Sequence, residues 1–148
     1  MFWKLRNRFE RFFFWLWSQK GSPAHRARGL AIGVFCGCFP LLGFQTLLGI
    51  TLASLIRGNR LLAITGTWIS NPITYVPLYW LNYYVGCLIL DGDNTAFTAL
   101  RIRPKEVYDL GWVVLTRFIL GSSIVGITLA LLLGSFVYIM LKYVAIEK

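Results

Sequence analysis

Three stretches of this chain contain no Asp, Glu, Lys or Arg: Gly29 to Ile56, Leu61 to Leu90 and Phe118 to Leu141. Each is 24 residues or longer, and roughly 20 apolar residues suffice to cross a hydrocarbon core of about 30 Å. With 57% apolar and 14% charged residues among 148, one small soluble core cannot hold so much oily surface. The pattern predicts an all-α integral membrane protein. Its expected parts are an N-terminal amphipathic interfacial helix, two proline-broken helical segments open to re-entrant geometry, and one C-terminal transmembrane helix. The boundaries drawn are 1–20 for the interfacial helix, 22–90 for the broken-helix membrane core, 91–109 for a polar loop, and 110–148 for the last helix and tail.

The net charge of +9 is concentrated at one end, because seven of the fifteen basic residues precede Gly29, against the single acid Glu10. A polybasic segment beside membrane spans points to anionic lipid headgroups, not to nucleic acid. Within it, Phe2, Leu5, Phe9, Phe12 or Phe13, and Leu16 recur at three- and four-residue steps with cations between them. That is an amphipathic helix suited to the membrane interface, with Lys4, Arg6, Arg8 and Arg11 as its candidate anionic-lipid contacts. A helix packed on its own domain would show the same pattern. The cations interrupt any continuous apolar core of a signal peptide, so the segment is expected to remain in the mature chain.

Catalytic and metal chemistry find little support. Cys36, Cys38 and Cys87 all fall in charge-free runs, and the one histidine, His25, stands outside them. Buried inert thiols are the reading, and no metal or other cofactor is expected. Asp91-Gly92-Asp93-Asn94-Thr95 has the look of a calcium loop, but Ile102 stands where a bidentate glutamate is needed. No charge-free run carries a carboxylate, and no Ser-His or Cys-His pairing can be placed near one, so the chain is not expected to be an enzyme.

Proline divides the first two runs. As one straight helix, Gly29 to Ile56 would extend about 42 Å, beyond the hydrocarbon thickness, and Pro40 with Gly43 sits near its middle. Two shorter helices meeting at Phe39 to Phe44 are predicted, after a start at Ser22-Pro23. The pair is either a kinked span or a re-entrant hairpin. Arg26 and Arg28 precede the run as Arg57 and Arg60 follow it, and positive charge at both ends favours the hairpin. The second run is broken at Asn71-Pro72 and contains Pro77 as well, whereas the last has no proline and reads as an ordinary spanning helix.

Gly29, Gly33 and Gly37 form one smooth helix face, and Gly126, Ala130 and Gly134 another, both suited to close helix packing within the chain or against a second copy or another membrane protein. The candidate polar site lies at the two breaks: Pro40, Gly43, Gln45 and Thr46 in the first, Asn71, Pro72 and Thr74 in the second. An unpaired amide in an apolar medium costs a few kcal/mol, so Gln45 must find a backbone group, another side chain or a ligand.

Pro23 with Ala24, the Gly33 to Gly37 pattern, Pro40 with Gly43, Gln45 and Thr46, Arg57-Gly58-Asn59, Gly66-Thr67, and Asn71-Pro72 with Thr74 and Pro77 together resemble a bacterial membrane family, "domain of unknown function 2062". The resemblance covers about Ser22 to Gly86. It implies a multi-pass domain of the bacterial cytoplasmic (inner) membrane, sometimes joined to glycosyltransferase-like domains, and carries no activity. Two functions are open: a transporter or scramblase-like handler of amphiphilic or lipid-linked anionic substrates, and a non-transporting scaffold or accessory subunit of an envelope complex. The expected partners are membrane lipids, with a homo-oligomer or membrane-protein partner open.

Overall fold

The computed structural model describes residues 18–41, 43–90 and 104–146, with the side chains of the last helix described from 111 to 143. Among the described residues five helices follow one another: α1 Pro23–Gly37, α2 Phe44–Leu55, α3 Arg60–Thr67, α4 Tyr75–Ile89 and α5 Pro104–Ile146. No strand occurs among the described residues. The expected interfacial helix, with Lys4, Arg6, Arg8 and Arg11, lies outside them.

Local chemistry sets the helix ends. The Ser22 hydroxyl accepts a bond from the His25 N–H at 3.2 Å, and Pro23, which has no N–H to satisfy, takes the first turn of α1. Helix α1 stops at Gly37, ahead of Pro40. Gly43 caps α2 at φ +87°, a conformation that L side chains rarely adopt. The Asn59 side chain caps α3 by accepting from the Leu62 N–H at 3.1 Å. Pro77 falls in the first turn of α4, where proline is tolerated.

The helices thus divide the first two charge-free runs at 38–43 and 68–74. Among the described residues only α5 contains a segment long and apolar enough to cross a membrane, Gly111–Tyr143. At 43 residues it also begins earlier than the boundary drawn from sequence, so residues 104–109 are helical and not loop. Pro104 supplies a favourable first helical position, and no proline follows to interrupt the helix.

Close backbone approach fixes how the helices run. A Cβ at Gly29 would overlap the Asn59 carbonyl, one at Gly33 that of Ala63, and one at Gly37 would stand 3.0 Å from the Thr67 backbone. Helices α1 and α3 therefore lie parallel, with Gly66 closing the contact from the other side against Leu30 and Val34. Helix α5 runs antiparallel to α1, since Gly126 meets Phe35 and Cys38 while Gly134 meets Ala31 and Ala27. Helix α4 is antiparallel to α5, with Gly121 against the Asn82 carbonyl and Gly86 against that of Arg117.

Between α1 and α2 the chain returns to where it entered. The Asn59 N–H donates to the His25 carbonyl at 2.9 Å, and His25 Nδ1 lies 2.7 Å from the Arg57 carbonyl oxygen. The C-terminal part of α5 reaches the same end, where Val137 and Leu141 pack with Leu62 and Leu30. The interior includes polar groups, with Thr67, Asn82 and Ser122 fully buried, as are Leu62 and Cys38, while Ile73 (87%), Val76 (77%) and Trp68 (70%) are largely exposed.

Candidate functional site

The polar residues of the two breaks meet inside the bundle. Gln45, in the first turn of α2, is buried, and its Oε1 accepts from the Ser70 hydroxyl at 3.3 Å. Ser70 also reaches the Thr67 carbonyl at 3.2 Å, so its one proton is shared between two acceptors. One turn earlier, Thr67 donates to the Ile64 carbonyl at 2.7 Å. Its oxygen is then left to accept from the Thr46 hydroxyl at 3.4 Å. Gln45 and Thr46 are thereby joined to Ser70 and Thr67, across the gap between α2 and the end of α3. Glycines on both neighbouring helices contribute, because Gly37 of α1 and Gly49 of α2 admit Thr67 at close range.

Asn71 and Thr74 do not join this crossing. The Asn71 side-chain oxygen Oδ1 accepts from the N–H groups of Ile73 (2.9 Å) and Thr74 (3.1 Å), and the Thr74 hydroxyl accepts from the Asn71 backbone N–H at 2.9 Å. They cap each other within the exposed turn that starts α4, a role open to any Asn-Pro-x-Thr sequence with its backbone N–H groups free. Pro40 and Pro72 interrupt helices and bring no polar group of their own to the crossing. Gly43 is exposed, with open space around its Cβ position. Of the packing residues, Gly29, Gly33 and Gly37 face α3, Gly126 and Gly134 face α1, and Ala130 lines an open groove between α1 and α5.

A second polar layer escaped the sequence reading. Asn82, fully buried on α4, donates from Nδ2 to the Cys38 carbonyl at 2.8 Å, tying α4 to the open end of α1 across 44 residues. Its Oδ1 has no hydrogen-bond partner, and neither has the hydroxyl of Ser122 or Tyr79. Tyr79 lies edge-on to Phe118 with ring centroids 5.3 Å apart. The available signal was Asn82 itself, the one amide between Asn71 and Leu90. A polar side chain so deep in an apolar run needs a partner.

Charge is segregated along the bundle. Arg26 and Arg28 near the start of α1, Arg57 between α2 and α3, Arg60 at the start of α3, and Lys142 near the end of α5 share the end marked by His25, while Arg117 stands beside Gly86 towards the other. No Asp or Glu occurs from 18 to 90 or from 111 to 143. Among the described residues no three His, Cys, Asp or Glu side chains gather as a metal site, and the three cysteines are buried and free.

Fold and site together define a protein whose described residues are helical, with interrupted helices joined by polar contacts at their breaks and packed against one long apolar helix. The chain belongs to a family described as an uncharacterized protein conserved in bacteria (DUF2062), whose model matches residues 6–148. That match extends past the Ser22 to Gly86 core and takes in α5. No curated protein and no solved structure matches the chain.

Proposed function

We propose that this chain is a multi-pass protein of the bacterial inner membrane that moves anionic amphiphiles between leaflets passively, through the polar crossing of its broken helices. The carrying observation is the meeting of Gln45 with Ser70 and of Thr46 with Thr67 inside a bundle whose outer faces are apolar. Exposed apolar surface on this scale fits a lipid environment. Helices α1 and α2, about 22 and 18 Å long at 1.5 Å per residue, are each too short for a hydrocarbon core of about 30 Å. Their rejoined ends support a hairpin that re-enters from one side. Helices α3 and α4 together make one interrupted crossing, and α5 makes the other.

Non-helical backbone at membrane depth is tolerated where it is covered by protein or lines a watery cavity, and interrupted helices of this kind form substrate sites in transporters. The end rich in Arg and Lys, where no described side chain is acidic, would attract an anionic headgroup. With no Asp or Glu among the described side chains of the bundle, coupling to protons through a carboxylate has no candidate there. The scaffold reading rested on unoccupied glycine faces, whereas these faces are spent on contacts between α1, α3 and α5.

The test is a reconstitution in liposomes carrying a fluorescent anionic lipid, with dithionite quenching reporting transfer between leaflets. The proposal expects protein-dependent transfer that falls severalfold in Gln45→Ala and Ser70→Ala at unchanged insertion. Transfer indifferent to both substitutions would contradict it.

A further inference from the structure

We infer that the groove between α1 and α5 is a binding site for a single anionic phospholipid, with an acyl chain on its floor and the phosphate at Arg28. The inference rests on the proposed membrane-embedded reading and adds a residence site apart from the polar crossing.

A cavity of about 260 Å³ opens sideways between the two helices. Its floor is made by Ala27 and Ala31 of α1 and by Ala130 and Gly134 of α5, side chains too small to fill the space between the helices and without a polar atom to satisfy. Arg28 and Tyr138 stand in the lining. The Arg28 Nε–H donates to the Ala24 carbonyl at 3.3 Å, which lays the side chain along α1. The guanidinium retains its Nη donors for a phosphate, and the Tyr138 phenol can add one more.

Charge complementarity selects the occupant. Arg28 lies at the end of the bundle that also carries Arg26, Arg57, Arg60 and Lys142, and no described side chain there is acidic. An acyl chain alone would have no reason to favour this end, and a free phosphate no use for an apolar floor. A lipid bearing a phosphate uses both.

Native mass spectrometry of the full chain, released from mild detergent after titration with dioleoylphosphatidylglycerol or dioleoylphosphatidylcholine, tests the site. One retained phosphatidylglycerol is expected, held in preference to phosphatidylcholine. Arg28→Gln should weaken phosphatidylglycerol retention about fivefold, the effect of one cation near the surface, and weaken phosphatidylcholine, whose phosphate is offset by its own choline cation, by less. Arg28→Lys should keep most of the preference, and Ala130→Leu, which fills the floor, should lower retention of both lipids. Because Arg28 is exposed, its variants should melt with the parent.

Equal retention of phosphatidylglycerol by the parent, Arg28→Gln and Ala130→Leu would overturn the site. So would a dimer that is lost in Ala130→Leu and carries no lipid, since the groove would then seat a second copy. If retention follows Arg28 while leaflet transfer ignores Gln45 and Ser70, the lipid site stands and the proposed function fails. The reverse pattern removes the site alone.

Discussion

The ring of His25 lies 2.7 Å from the carbonyl oxygen of Arg57, and the two residues are 32 positions apart in the chain. Between them run both α1 and α2, so this contact closes a helical hairpin at its base. Arg57 itself has φ +53°, in the left-handed region, as the chain turns out of α2 towards Gly58. His25→Ala should keep the helices and loosen the closure. A loss of about 1 kcal/mol is expected for one side-chain hydrogen bond, measured as a lower melting temperature in detergent.

The α1–α3 contact should tolerate little added volume. Gly33→Ala places a methyl group onto the Ala63 carbonyl, where backbone and not a flexible side chain stands in the way. A loss of about 1 to 3 kcal/mol is expected from overpacking. Gly111→Ala is the matched control, since its Cβ would meet nothing within 4 Å and helical alanine is preferred to glycine. Thermal unfolding should fall for the first and hold or rise slightly for the second.

Much of this arrangement was legible in the sequence because proline and charge act locally. Pro40 and Pro72 mark the interruptions, Ser22-Pro23 marks the start of α1, and Arg26, Arg28, Arg57 and Arg60 bracket the hairpin. The partners inside the bundle were less legible. Gln45 announces a need for a hydrogen bond, but whether Ser70 or Asn71 meets it depends on which of two neighbours turns inward, and the turn geometry directs Asn71 to its own backbone instead. The contacts of Gly86 with Arg117 and of Gly121 with Asn82 join α4 to α5 without any repeating glycine spacing to mark them. The helical start at Pro104 was hidden by the polar residues around it.

Asn82 should be the most sensitive polar position. Asn82→Ala strips the Cys38 carbonyl of its donor in a fully buried setting. The expected cost is about 1 to 3 kcal/mol for the unsatisfied group, seen as a fall in melting temperature and as loosened hydrogen exchange at the C-terminal turn of α1.

Gln45 and Asn71 should separate by phenotype although each ends in an amide and sits at a helix break. Asn71→Ala removes the bonds that its side-chain oxygen accepts in the turn before α4 and should lower stability by about 1 kcal/mol while leaving lipid transfer intact. Gln45→Ala breaks the link to Ser70 and should lower transfer severalfold. Paired melting and dithionite measurements on the two variants check the contrast.

The re-entry of the α1–α2 hairpin is the claim on which the membrane account turns, and sidedness of labelling tests it most directly. Single cysteines placed at Lys20, Arg60, Asn94 and Lys148 are treated in intact cells with a membrane-impermeant maleimide, with the unaltered chain and its three buried thiols as the control. With positive charge on the cytoplasmic side, Lys20→Cys, Arg60→Cys and Lys148→Cys should stay unlabelled until the cells are opened, and Asn94→Cys should label from outside. Labelling of Lys20→Cys and Arg60→Cys from opposite sides would mean that residues 23–55 cross the membrane, contradicting the hairpin.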